Sequence, residues 1–190
     1  MIKLSILIPS LTERSRQLEL LLEELERQIG ELPVEVLVFT DNRKRSLGDK
    51  KNDLKNLVRG DYWAMCDDDD MIGEDYISSI LEAIKSNPDV ITFKQLAHIN
   101  GEPFLVTFGK DFTDEEARKE NDKWVDVKRK PYHVCVWKTS IVKHCFFPSK
   151  NYFDDSEFAE MAQKELLSEV HIDKILHYYY FSSEKTRSGK

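Results

Sequence analysis

The chain has 190 residues, with 28 Lys and Arg against 35 Asp and Glu, for a net charge of −7. With 41% hydrophobic and 11% aromatic residues it can build a core, which excludes a disordered chain, and seven Gly with six Pro exclude a collagenous or low-complexity polymer. No run nears the roughly 18 apolar residues of a membrane span, and the acidic balance argues against a general nucleic-acid binder.

The elements follow in chain order. Residues 4–8 form a short apolar run ended by Pro9, the pattern of a buried parallel strand rather than a signal peptide. Leu18, Leu21, Leu22, Leu25 and Ile29 recur at helical spacing, with Gly30 and Pro33 as the stop. Residues 34–39 read as a second strand, ending at Thr40-Asp41-Asn42. Ser46-Leu47-Gly48-Asp49 has the form of a capping box and opens a helix with Leu47, Leu54, Leu57 and Val58 on one face. Residues 62–66 form a third strand, Ile77, Ile80, Leu81 and Ile84 a third helix stopped at Asn87-Pro88, and residues 90–93 a fourth strand. Such alternation predicts a mostly parallel sheet with helices on both faces and a ligand site beyond the carboxyl ends of the strands.

The second half is less regular. Asn100-Gly101 predicts a hairpin turn. Residues 111–130 are highly charged and read as a surface excursion or mobile loop, residues 134–137 as a strand, the stretch after Phe153 as a helix and residues 170–180 as a late strand. The expected organisation is one domain over 1–190, with a nucleotide-binding half (1–95) and an acceptor half (96–190). The free thiols Cys66, Cys135 and Cys145 lack metal-ligand spacing and suit a reducing, cytoplasmic setting.

Charge is unevenly spread. Residues 42–60 hold Arg43, Lys44, Arg45, Lys50, Lys51, Lys55 and Arg59 against only Asp49 and Asp53, and Asp67-Asp68-Asp69-Asp70 follow closely. Four adjacent carboxylates need a cation, basic partners or full solvation. Side chains alternate along an extended chain, so Asp67 and Asp69 share a side, and Mg²⁺-type cations take one or two carboxylates plus ligand phosphates. The helix start at Gly48–Lys51 would present N–H groups and a positive dipole end to those phosphates.

Together these residues resemble the family 2 glycosyltransferases, which have the nucleotide-sugar-binding GT-A fold. The similarity lies in Leu4-Ser5-Ile6-Leu7-Ile8-Pro9-Ser10, the acid Asp41, Gly48-Asp49-Lys50-Lys51-Asn52 running to Arg59-Gly60-Asp61-Tyr62, the family's Asp-x-Asp-Asp motif at Asp67–Asp70, Asp154-Asp155-Ser156-Glu157-Phe158, and the closing aromatic strand around His177. It departs at Leu11-Thr12, where the family has an aromatic-Asn pair, and at Lys51, where Arg is common. The resemblance implies a metal-dependent transfer from a nucleoside-diphosphate sugar, a UDP-sugar foremost, to an acceptor hydroxyl with inversion.

It further implies a nucleotide pocket of Pro9, Ser10, Thr12, Asp41, Lys51, Asn52, Asp67 and Asp68. Mn²⁺ or Mg²⁺ would sit on Asp69 and Asp67, with His177 as a further candidate ligand, and Asp155 would be the general base. His133 and Trp124 are candidates for the sugar or acceptor pocket, and Lys185 with Arg187 for a lid over the diphosphate. The acceptor stays open among a saccharide, a lipid-linked saccharide, a protein and a modified nucleic acid, and the short chain leaves room for a partner subunit. The alternative is a non-catalytic nucleotide-sugar- or metal-binding module within a complex.

Overall fold

The first strand, β1 (Leu4–Leu11), is buried along nearly its whole length, because its residues alternate between two apolar layers. Leu4, Ile6 and Ile8 join one core cluster and Leu7 the other. A short 3-10 turn (Thr12–Arg14) leads into α1 (Ser15–Ile29), which Gly30 ends at φ 48° with its N–H on the Glu26 carbonyl. β2 (Val34–Asp41) and α2 (Leu47–Asn56) follow, and the Ser46 side chain caps α2 by accepting the Asp49 N–H at 3.1 Å. Then come β3 (Tyr62–Met65), the two-residue β4 (Met71–Ile72), α3 (Tyr76–Ile84) and β5 (Val90–Ile99). The second half supplies β6 (Glu102–Phe108), β7 (Lys119–Glu120), β8 (Lys123–Trp124), β9 (Val127–Arg129), β10 (Val136–Lys138), α4 (Asp154–Gln163) and β11 (Glu169–Phe181). The computed structural model describes residues 1–182; Lys185 and Arg187 lie outside them.

The main sheet runs β2-β1-β3-β10-β5-β11-β4, with β6 on β5 and β9 on β6. β1 is parallel to β2 and β3, and β5 is parallel to β11. The result is the expected α/β architecture with a mainly parallel central sheet flanked by helices. α1 and α3 cover one face through Leu21, Leu25, Ile77 and Ile80. Leu54 of α2 and Phe158 of α4 pack on the other.

The strand read at residues 134–137 forms as β10, which lies antiparallel between β3 and β5 with Val136 and Trp137 fully buried. A three-residue strand carries no mark of its pairing partners. Leu57 lies just past the end of α2 and is 61% exposed, so it does not share the buried face. Residues 111–130 run over the surface as the excursion read from the sequence, carrying β7, β8 and β9. Backbone N–H groups of Lys128, Lys130 and Leu105 donate to Glu115, Asp114 and Asp126, and the Trp124 ring stacks on Phe104 at 5.3 Å. That stacking makes Trp124 a packing residue rather than an exposed sugar platform. The β5–β6 hairpin forms as read, with Asn100 at φ 52° and Gly101 at φ 87° between the paired Ile99 and Glu102.

Segment 147–154 is tied down on α2. Asn52 pairs with both backbone groups of Phe147, at 2.7 and 2.9 Å. The Phe147 ring stacks on Phe158 of α4 at 4.3 Å. Gly48 donates its N–H to the Lys150 carbonyl at 3.0 Å, and a Cβ there would lie 1.8 Å from the Pro148 oxygen. Gly48→Ala is therefore expected to destabilise the protein by about 1–3 kcal/mol through backbone overpacking. Thermal unfolding checks this, and an unchanged Tm would show that the loop does not rest on α2.

Candidate active site

A parallel arrangement brings the carboxyl ends of β1, β2 and β3 to one edge of the sheet, and the four aspartates follow β3 directly. The four carboxylates meet different surroundings, with Arg14 shared by Asp68 and Asp69. Asp68 is buried and accepts the Ser10 hydroxyl (2.9 Å), the Leu11 N–H (3.0 Å) and the Arg14 guanidinium (2.8 Å). Arg14 also reaches Asp69 at 3.0 Å. Burial, together with the charges of Asp67 and Asp68, pushes Asp69 up to about 6 despite Arg14. Asp67 moves the other way: burial opposes its ionisation, but the His133 ring and the charge of Lys51 hold it well below the usual carboxylate range.

Asp70 is buried, lies 3.5 Å from His177 Nε2 and accepts the Tyr180 N–H at 3.3 Å. Burial, with the neighbouring charges of Asp67 and Asp69, raises its pKa well above the usual carboxylate range. His177 is fully buried, with Nδ1 at 2.9 Å from the Gln95 amide nitrogen and Nε2 at 3.8 Å from Cys66 Sγ. Burial lowers it to about 3, which keeps the ring neutral. Its contact in the tetrad is Asp70.

At the end of β2, Asp41 Oδ1 accepts the Arg43 N–H and Lys50 Nζ, and Oδ2 accepts the Arg45 N–H. Burial opposes this, but the donors lower its pKa. Asp41 thus organises its own loop. Thr12 donates to the Asp41 carbonyl at 3.0 Å, and buried Lys50 joins Asp41 to the Ser10 carbonyl (3.0 and 2.8 Å). Pro9 lies buried within β1.

Lys51 and Asn52 are engaged with protein groups. Lys51 forms an ion pair with Asp154 at 2.9 Å, both residues being buried, and its ammonium lies over the Phe147 ring. Asn52 holds Phe147 as described. The expected phosphate cradle at the start of α2 is also filled. The Leu47 N–H donates to Asn151 (3.0 Å), the Gly48 N–H to the Lys150 carbonyl and the Asp49 N–H to Ser46. Segment 149–151 thus satisfies the first two donors of this helix end and Ser46 the third, a division that the sequence order does not reveal.

Asp155 lies in the first turn of α4, 24% exposed, and the buried His133 ring stands between it and Asp67 with neither ring nitrogen hydrogen-bonded. His133 Nδ1 is 3.4 Å from Asp155 and Nε2 is 3.8 Å from Asp67. Tyr179 stands among the same carboxylates. Burial and the charges of Asp70, Asp67, Asp69 and Asp155 push its phenol up to about 12. Arg14 has no sequence signal beyond its place just after β1, whereas Lys50 belongs to the basic helix start and Tyr179 to the closing aromatic strand around His177.

Among the described residues, no group of three or more His, Cys, Asp or Glu side chains forms a ready-made metal cage. Asp67 and Asp69 nonetheless suit a hard divalent cation, which needs only one or two carboxylates when phosphates complete its shell. Asp67 Oδ1 is buried without a hydrogen-bond partner, and Asp69 is raised by burial and by the charges of Asp67 and Asp68 despite Arg14.

No protein-family model and no curated protein matches the sequence. The fold does match: it is GT-A-like. The structure is similar to S. aureus TarS 1–349 in complex with UDP, at TM-score 0.67 and 16% identity over 98% of this chain and 63% of that one. For the same protein in complex with UDP-GlcNAc the values are 0.65, 13%, 100% and 61%. Against S. aureus TarS solved without that truncation they are 0.62, 13%, 98% and 38%. The chain thus spans less than two thirds of the structures it resembles.

Asp69 costs stability in the free protein. Its pKa of about 6 lies above its ordinary 3.8, so the cost is absent below about pH 4, grows as pH rises and is complete above about pH 6. Asp69→Asn is expected to raise stability by about 1 kcal/mol at pH 8, after discounting for solvent at this one-third-exposed group. The gain should vanish near pH 3.5. Thermal melts of both proteins across this range check it, and a gain independent of pH would remove the electrostatic cause.

Proposed function

We propose that the chain transfers a sugar from a nucleoside-diphosphate sugar, with a UDP-sugar as donor, to an acceptor hydroxyl, inverting the anomeric carbon. One observation carries the reading: His133 brings Asp155 into the same site as the aspartates at the end of β3, 3.4 Å on one side and 3.8 Å on the other. A fold shared with a protein solved in complex with UDP and UDP-GlcNAc supports the choice of donor.

In this reading Ser10, Leu11 and Thr12, with the Asp41 loop, border the nucleoside. Asp67 and Asp69 would hold Mn²⁺ or Mg²⁺, which when bound supplies Lewis-acid stabilisation to the departing diphosphate. Arg14, 36% exposed on the Asp68–Asp69 edge, adds a positive charge there. The Asp155 carboxylate accepts the proton of the acceptor hydroxyl. The acceptor oxygen bonds to the anomeric carbon as that carbon's bond to the diphosphate breaks, and UDP leaves with the electron pair. A single displacement of this kind inverts the centre. The buried Lys51–Asp154 pair fixes the start of α4, and with it Asp155, where that proton emerges.

Asp155→Asn should lower transfer by about 100-fold or more, the usual scale of general-base loss, while UDP-sugar affinity holds. Unchanged turnover would remove Asp155 as the base. In a thermal-shift assay UDP with Mn²⁺ should raise the Tm of the unaltered chain, and Asp67→Ala combined with Asp69→Ala should abolish that rise. A rise that persists in the double variant would separate the tetrad from nucleotide binding. Absence of UDP-sugar turnover in the unaltered chain, with binding retained, would favour a non-catalytic module.

A further inference from the structure

Arg14 stands where the 3-10 turn meets α1, at the N-cap of that helix, and its side chain makes no capping bond. Helix energetics disfavour a cation there, because the first N–H groups form the positive end of the helix dipole, and the first turn of α1 carries no acid to offset it. The tetrad is what holds Arg14. Its Nη1 donates to Asp68 Oδ1 at 2.8 Å and lies 3.0 Å from Asp69 Oδ2. Burial opposes the charge of Arg14, but the Asp68 hydrogen bond and the charges of Asp69, Asp68 and Asp67 raise its pKa. The guanidinium thus sits in the combined field of three of the four carboxylates, two of which are the candidate ligands of a divalent cation.

The two halves of this contact differ. Asp68 is buried and also accepts the Ser10 hydroxyl and the Leu11 N–H. Asp69 and Arg14 are each about one-third exposed, so their ion pair is the half that can open. The turn carrying Arg14 is tied to the end of β2, with Thr12 on the Asp41 carbonyl and Glu13 paired with Arg43. Arg14 therefore stays near Asp69 even when that pair opens. A lone divalent cation on Asp69 meets the guanidinium charge at short range, where like charges repel. A nucleoside diphosphate removes the conflict, because its phosphates bring negative charge that both cations can share.

We propose that Arg14 closes the cation site against a lone divalent ion, so that the ion binds tightly only together with a nucleoside diphosphate. This rests on the proposed transferase reading and adds a binding order to it. Electron paramagnetic resonance of Mn²⁺ titrated into the full chain without nucleotide tests the closed state. Arg14→Met removes the charge. Arg14→Gln also removes it but keeps a donor for buried Asp68, so the test stands if Arg14→Met fails to fold. Arg14→Lys keeps the charge. Both neutral variants should bind Mn²⁺ alone about tenfold or more tighter than the unaltered chain, the scale on which an adjacent charge alters a carboxylate's affinity for a proton. Arg14→Lys should stay within about threefold of the unaltered chain, since the repelling charge remains. Calorimetric titration of UDP with and without Mn²⁺ reads the linkage. The factor by which Mn²⁺ tightens UDP should fall about tenfold or more in the neutral variants. Complexing of Mn²⁺ by UDP in solution is common to all the chains and cancels in that comparison.

Unchanged affinity for Mn²⁺ alone in the neutral variants overturns the proposal. Equal tightening by Arg14→Lys overturns it too, because charge is then not the cause. So does UDP binding that needs no Mn²⁺ in the unaltered chain and is lost in the neutral variants, which would make Arg14 itself the cation of the diphosphate. The UDP–Mn²⁺ thermal shift of the unaltered chain is read separately. It persists if only the role of Arg14 is wrong and is absent if the transferase reading itself is wrong.

Discussion

Four adjacent carboxylates at the end of one strand impose the constraint around which this structure is arranged. Left together in a partly buried place they would repel strongly, and the fold separates them by direction. Asp67 faces His133 with the charge of Lys51 nearby, Asp68 faces Ser10, Leu11 and Arg14, Asp69 lies half-exposed on the Arg14 edge, and Asp70 turns inward to His177 and the backbone of Tyr180. Those partners come from the loop after β1, from α2, from the segment before β10 and from β11. The tetrad therefore does more than line a site: satisfying it draws distant parts of the chain to one sheet edge.

The basic segment beside it has a different use from the one its charge suggests. Lys50 joins the ends of β1 and β2, and Lys51 is buried against Asp154. Breaking such a pair would leave an uncompensated buried charge, which is strongly unfavourable. Lys51 and Asn52 thus fix α4, and with it Asp155, relative to the tetrad. Segment 149–151 closes the Leu47 and Gly48 N–H groups of α2. Stability and chemistry oppose each other at Asp69, whose ionisation is costly in the free protein and is what a divalent cation would use.

Much of this was legible in the sequence, and for a physical reason. Strand and helix periodicities, the Ser46 cap, the Asn100-Gly101 turn and the apolar run at residues 4–8 are local preferences. They depend on neighbours a few positions away, and they led to the α/β class and to the strand ends that form the site. The Asp67–Asp70 run carried its own electrostatic signal. Asp155 was read as a general base through the resemblance, while its own residue type at a helix start is also accounted for by the helix dipole.

Tertiary structure alone decided which groups meet. Nothing local in residues 136–138 announces a strand between β3 and β5. Nor does the sequence show that Lys51 would find Asp154, that Asn52 would hold Phe147, or that His133 would stand between Asp67 and Asp155. Pairings across dozens of residues depend on how the sheet orders its strands and which side chains then lack a partner. Composition records the charges, but only the fold determines which of them neutralise one another and which remain for a ligand.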